Sequence, residues 1–143
     1  MSIIKSVRDF FCGCPYLLKG RFNVDYLGSE PTEYSIRRIS GDEVLKRYAD
    51  GGALKKFVFA FSSRTKTGMV SDNIETAAFY EKVSDWIAEK NNAGILPALP
   101  DGKVAQSLRV SKAAAMEDMV DDCAKYSMEC TLIYFEGGYT YGK

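Results

Sequence analysis

Leu54-Lys55-Lys56-Phe57-Val58-Phe59-Ala60-Phe61-Ser62-Ser63 reads as a strand, and the rest of the chain is read outward from it. Phe57, Phe59 and Phe61 line one face, while Val58 and Ala60 fall on the other. Apolar side chains on both faces predict a central strand covered from both sides. Downstream, Asp72 to Lys90 places Phe79, Val83, Trp86 and Ile87 in one stripe, supported by Ile74 and Ala78. Glu81, Lys82, Asp85, Glu89 and Lys90 take the opposite side of this long helix. Asp72 and Glu75 have the spacing of a capping box, and Asn91-Asn92-Ala93-Gly94 ends the helix. The single tryptophan, Trp86, shares the face of Val83 and Phe79, which makes it a core anchor before a ligand platform. Leu96 to Gly102, with two prolines, is a stiff connector.

Toward the N-terminus, Ile3, Ile4, Val7, Phe10 and Phe11 recur at helical spacing until Gly13 and Pro15 stop them. So short a helix is marginal alone and must dock, on its own domain or as an arm on a neighbouring subunit. Phe22, Val24 and Tyr26 alternate as a strand, and Tyr34 to Ile39 follows as another. Asp42 to Asp50 is ambiguous: Val44, Leu45 and Tyr48 fit a helical turn, and Asp50-Gly51-Gly52 then breaks the chain. At the other end, Val104, Leu108 and Val110 alternate with polar residues. Tyr126, Met128, Cys130, Leu132 and Tyr134 then share one face of a final strand. Met116 to Asp122 between them reads as a solvated hairpin loop. The order predicts an α+β fold: a mostly antiparallel sheet of about four or five strands, with one long helix packed on a face and a short N-terminal helix. Residues 1–136 form one domain in this reading, and 137–143 a flexible tail.

Composition narrows the chemistry. The chain has 143 residues, 46% hydrophobic, and Lys+Arg and Asp+Glu are both 19, so its formal net charge is zero. No global field attracts nucleic acid or an anionic membrane. There is no histidine, which removes Ser-His-Asp and Cys-His catalysis, His-containing metal sites and the usual proton shuttle near neutral pH. Lys5, Arg8 and Asp9 interrupt the first residues, so no signal-peptide core appears there. The apolar run Phe57 to Phe61 falls far short of the ~20 residues of a membrane span. The expectation is a soluble protein made in a reducing cytosol.

Cys12, Cys14, Cys123 and Cys130 do not have zinc spacing: one residue separates the first pair and six the second. They read as structural thiols, with Cys12-Gly13-Cys14 the one pair whose redox chemistry merits a titration. Glu117, Asp118, Asp121 and Asp122 suggest calcium, but the central Gly and the closing Glu of a calcium loop are missing. Asp50-Gly51-Gly52 lacks the further glycines and the Lys-Ser/Thr pair of a phosphate loop. Arg37-Arg38 and Lys55-Lys56 are each split across a sheet by strand alternation. The reading assigns no catalytic, cofactor-binding or metal residues, and no enzyme.

Several stretches together resemble a known family. Cys14-Pro15-Tyr16-Leu17, Asn23-Val24-Asp25-Tyr26-Leu27-Gly28, Glu33-Tyr34-Ser35-Ile36 and Arg47-Tyr48-Ala49-Asp50-Gly51-Gly52 are part of the set. Phe57 to Arg64, Asn73-Ile74-Glu75, Phe79-Tyr80-Glu81-Lys82, Asp85-Trp86-Ile87 and Cys130 to Phe135 complete it. This pattern, over roughly residues 10–136, is similar to the tail-terminator (tail-completion) proteins, often labelled minor capsid proteins, of long-tailed phages and prophages of Gram-positive bacteria. The resemblance implies a virion protein at the head–tail junction, made in the bacterial host cytoplasm. It implies a homo-oligomeric ring, typically a hexamer, that caps the tail tube, stops its polymerisation and offers the head-joining surface. The partners it implies are further copies of the chain, the tail tube protein and a head completion or connector protein. No membrane is involved, and DNA is met only as it passes through the lumen. The N-terminal helix and Met116 to Asp122 are then expected contact elements, and Arg37, Arg38, Lys55 and Lys56 candidates for the lumen. Alternatives at this stage are a head–tail connector or minor capsid protein, a small-ligand binding module, and an enzyme such as an acetyltransferase.

Overall fold

A computed structural model describes residues 3–16, 22–24, 33–66, 70–120 and 123–137, with 22–24, 33, 41–42, 64–66, 70–76, 116–120 and 123–124 described by backbone alone. Helix α1 (Ile3–Phe11) leads into strands β1 (Phe22–Val24), β2 (Glu33–Arg47) and β3 (Ala53–Lys66). Helix α2 (Val70–Asn92) is followed by the hairpin of β4 (Lys103–Val120) and β5 (Cys123–Glu136). The sheet has the order β1-β2-β3-β5-β4. β1 joins β2 in parallel, and the other neighbours are antiparallel. The chain is thus an α+β fold, as its patterning predicts. No helix among the described residues is long and apolar enough to cross a membrane.

β3 lies at the centre of the sheet because its phenylalanines have partners on both sides. Phe57, Phe59 and Phe61 stand opposite Leu132, Cys130 and Met128 of β5, and Phe61 also opposite Ile36 of β2. All seven are almost fully buried. Both helices cover this same face. α1 lies over the β1–β2 side and α2 over β4, and they meet where Phe10 and Phe11 touch Trp86, with ring centroids 5.0 and 6.0 Å apart. Burying each such ring or branched side chain contributes about 1.5–3 kcal/mol. Trp86 is a core residue, 7% exposed, and α1 docks on its own domain through Val7 and Phe11.

Local chemistry sets the turns. α2 ends in a Schellman closure: the Ile95 N–H donates to the Lys90 carbonyl at 2.9 Å and the Gly94 N–H to that of Asn91 at 3.1 Å. Gly94 holds φ at 75°, a value that a side chain resists. Between β2 and β3, Gly51 has φ 91° and the Asp50 carboxylate accepts the Gly52 N–H at 2.9 Å. The break read at Asp50-Gly51-Gly52 is therefore a hairpin turn.

Three expectations are corrected. The ambiguous piece from Asp42 onward is no helical turn: β2 runs unbroken to Arg47, and Glu43, Val44 and Lys46 pair with Lys56, Lys55 and Leu54. Its register shifts, between Arg38 and Ser40 and again to Glu43 and Lys46, blur the period of two that marks a strand. The acidic segment at Met116 is also no loop, since Met116, Asp118, Met119 and Val120 pair with Tyr126, Lys125, Ala124 and Cys123; Asp121 and Asp122 lie outside the described residues. Val104 does not share the face of Leu108, being 54% exposed against 1%. The register shift between Ala105 and Ser107 inserts Gln106 as an extra residue, which puts Ala105 on the core side in its place. Both described helices lie on the Phe57 face of β3. The side of Val58 and Ala60 meets neither α1 nor α2, and Ala60 is buried between its strand neighbours because it is small. α2 begins at Val70, two residues before Asp72, so the capping-box pair lies inside the first turns; its side chains, like residues 138–143, lie outside what the structure describes.

Candidate functional site

The face of the sheet that no described helix covers is the largest feature left unexplained by folding alone. Read across β2, β3, β5 and β4, one end of it is the row Lys46, Leu54, Phe135 and Val104. Next come Glu43, Lys56, Ile133 and Ser107, then Ser40, Val58, Thr131 and Arg109. Arg37, Ala60, Glu129 and Lys112 form the fourth row, and Ser35, Ser62, Ser127 and Ala115 the fifth. In these rows Arg37, Lys46, Lys56, Arg109 and Lys112 face only Glu43 and Glu129. The surface is cationic although the whole chain is neutral. Lys56 lies 3.7 Å from Glu43, which leaves the positive excess on the other cations.

One end of this face is also apolar. Tyr48 packs on Phe135 with centroids 5.7 Å apart, and the Lys46 ammonium sits 5.4 Å from the centre of the Tyr48 ring. Tyr48 and Val104 remain more than a third exposed there, whereas Val44, opposite Lys55, belongs to the helix side. Near the other end the small residues Ala60 and Ser127 floor a hollow of about 140 Å³ flanked by Arg37, Lys112 and Glu129. Beside it the Ser62 and Ser127 hydroxyls bond to each other at 2.5 Å.

A larger groove, about 540 Å³, opens on the helix side between α2 and β4. Tyr80, Glu81, Ser84 and Asp85 line it from the helix, and Val110, Ala113 and Ala114 from the strand. Its one deep polar group is committed to the fold: the Tyr80 hydroxyl donates to the Tyr126 carbonyl at 3.1 Å and lies 2.5 Å from Ser63 Oγ. Tyr80 has a single hydroxyl hydrogen, so Ser63 is the donor in the second bond. Removing the Tyr80 hydroxyl therefore takes the acceptor away from the fully buried Ser63 hydroxyl. Tyr80→Phe is expected to cost about 1–3 kcal/mol in urea unfolding, and Ser63→Ala less, because Tyr80 keeps its acceptor.

The residues picked from sequence are distributed by strand alternation. Lys55 turns to the helix side, where Glu136 takes its ammonium together with Lys103 at 3.9 Å, whereas Lys56 faces the open side. Arg37 joins Lys56 there, and Arg38, opposite Phe59, does not. Of the two arms of the acidic hairpin, β4 is the sheet edge and β5 lies between it and β3. Sequence reasoning missed Arg109 and Lys112, which gain meaning only once β4 is placed beside β5.

Cys12 is exposed, and Cys14 and Cys130 are buried. Among the described residues no group of acidic, Cys or His side chains is arranged to hold a metal. Burial, with a smaller push from Glu129, drives the Cys130 thiol far above its usual range. Site-resolved alkylation of the native protein is expected to modify Cys12 rapidly and Cys130 only on unfolding. The same thiol makes stability depend on pH. In the fold it stays protonated, while in the unfolded chain it ionises above about pH 8.5, so its contribution is complete below that value and lost as pH rises. Cys130→Ala should flatten the alkaline decline by up to about 1.4 kcal/mol per pH unit.

Comparison with known protein families finds no matching family model, and comparison with curated proteins finds no match.

Proposed function

We propose that this chain is an assembly subunit, a tail terminator of a long-tailed phage or prophage that forms a ring on the finished tail tube. In this reading the ring stops tube growth and presents the surface to which the head joins. The observation that carries the reading is the sheet face that no described helix covers, with its cationic rows and its exposed Tyr48 and Val104. A monomeric domain gains nothing from leaving such residues together in water, whereas a subunit buries them against its neighbours. The sequence stretches that resemble tail terminators run through the same strands, from Arg47 to Gly52 and from Cys130 to Phe135. The interior supports it as well, since the buried hydroxyls of Ser63 and Tyr80 are tied to each other and to the backbone.

Deleting the gene from the phage or prophage that encodes it provides the test. The expected result is tails of uncontrolled length and heads without tails, restored by the gene supplied in trans. Normal-length tails joined to heads in the deletion would refute the proposal. Negative-stain images of the protein mixed with tube protein then separate a terminator, seated on the tube end, from a connector that leaves the tube bare.

A further inference from the structure

Local patches of opposite charge lie on the two sides of the sheet. On the open side Arg37, Arg109 and Lys112 are exposed, with Glu129 the one carboxylate in their two rows. On the helix side, Glu81 and Asp85 lie one turn apart on α2 and edge the 540 Å³ groove against β4. The cations of α2 point elsewhere: Lys82 sits 5.9 Å from the Tyr16 ring centre and Lys90 5.9 Å from that of Trp86. The groove rim is therefore locally anionic and the opposite face locally cationic.

We infer that the chain self-associates head to tail, the cationic open face of one copy seated against the Glu81–Asp85 groove of the next. Two copies joined by like faces would set cation against cation, or carboxylate against carboxylate, which disfavours a two-fold dimer. Opposite faces attract instead. The two patches lie on opposite sides of the sheet, so every copy in such a contact keeps one of each free for another neighbour. That is the geometry of a ring or a filament. Shape agrees with charge, because the groove is walled by small side chains, Ala77, Ser84, Ala113 and Ala114, that leave room for long Arg and Lys side chains to reach the carboxylates. This inference rests on the proposal that the chain is an assembly subunit, and it names the surfaces that mate.

The test reverses each patch separately. The variant Arg109→Glu/Lys112→Glu and the variant Glu81→Lys/Asp85→Lys change only exposed side chains, and circular dichroism and thermal unfolding confirm that each stays folded. Sedimentation velocity and light scattering then follow self-association over a range of protein and salt concentrations. The wild type is expected to associate at low salt and to weaken as salt rises. Either variant alone should associate at least about tenfold more weakly. An equimolar mixture of the two, or one chain carrying all four reversals, should regain association, because a negative open face then meets a positive groove. Association unchanged by either reversal, or no recovery in the mixture and the fourfold variant, overturns the assignment of these faces and leaves the tail-length test of function standing. A chain that remains monomeric in every condition also overturns the inference.

Discussion

Phe11→Ala is expected to lower the unfolding free energy by about 3–5 kcal/mol and the melting temperature by roughly 10 °C. Phe11 is fully buried. Its ring stacks on Phe61 at 5.3 Å, meets Phe59 edge-on at 5.9 Å and tilts against Trp86 at 6.0 Å. Truncation removes apolar burial and leaves a cavity bounded by rigid rings that have little freedom to close it. A second cost follows from length. α1 has nine residues, too few to hold helical structure in water, so without its anchor the element loses its reason to be helical. Phe10→Ala supplies the comparison: Phe10 is only partly buried and its main partner is Trp86 at 5.0 Å, so the loss there should be clearly smaller. Trp86 is the only tryptophan and lies at this junction, so its fluorescence reports undocking of α1 while circular dichroism reports the sheet. A loss under about 1 kcal/mol for Phe11→Ala would mean that α1 does not contribute to the fold through this ring.

Where one period dominated, the fold was legible from the residues. Phe57, Phe59 and Phe61 at a spacing of two, and Val83, Trp86 and Ile87 at helical spacing with Phe79 packed against them, make the core because nothing local competes with burial. Legibility failed where extra residues break the register. The shifts in β2 scramble the faces of Val44 and Leu45, and Gln106 in β4 turns Val104 outward while Leu108 stays inward. Alternation counted along one strand carries no sign of an insertion that only the neighbouring strand defines. The open face was hidden for a related reason. Val58 and Ala60 are apolar, and apolarity alone does not say whether a helix, a small-residue floor or another molecule supplies the cover. The segregation of charge was equally out of reach, since Arg37, Arg109 and Lys112 come from strands far apart in sequence and meet only through the order β2-β3-β5-β4. Sequence did expose the split of Lys55 from Lys56, because that split depends on alternation within one regular strand.

Adjacent positions on β5 provide the sharpest test of which face is buried. Leu132 is fully buried between Phe57 and Leu108, and Leu132→Asp puts a carboxyl group among these apolar side chains. Keeping it ionised there, or protonating it, costs several kcal/mol, and the packing of the leucine is lost in addition. Against a total stability of about 5–15 kcal/mol, the expected result is a chain largely unfolded at room temperature and recovered in the insoluble fraction. Thr131 points the other way, between Val58 and Arg109. Thr131→Asp should therefore leave stability within about 1 kcal/mol of wild type, its new carboxylate having Arg109 directly across the strand pair. That compensation has a functional consequence: a carboxylate beside Arg109 lowers the positive charge of the open face, so the folded variant should self-associate more weakly than wild type, and increasingly so as the salt is diluted. If Thr131→Asp unfolded the protein as thoroughly as Leu132→Asp, the face bearing Arg37, Arg109 and Lys112 would have to be buried within the subunit, and a neighbouring copy could not reach it.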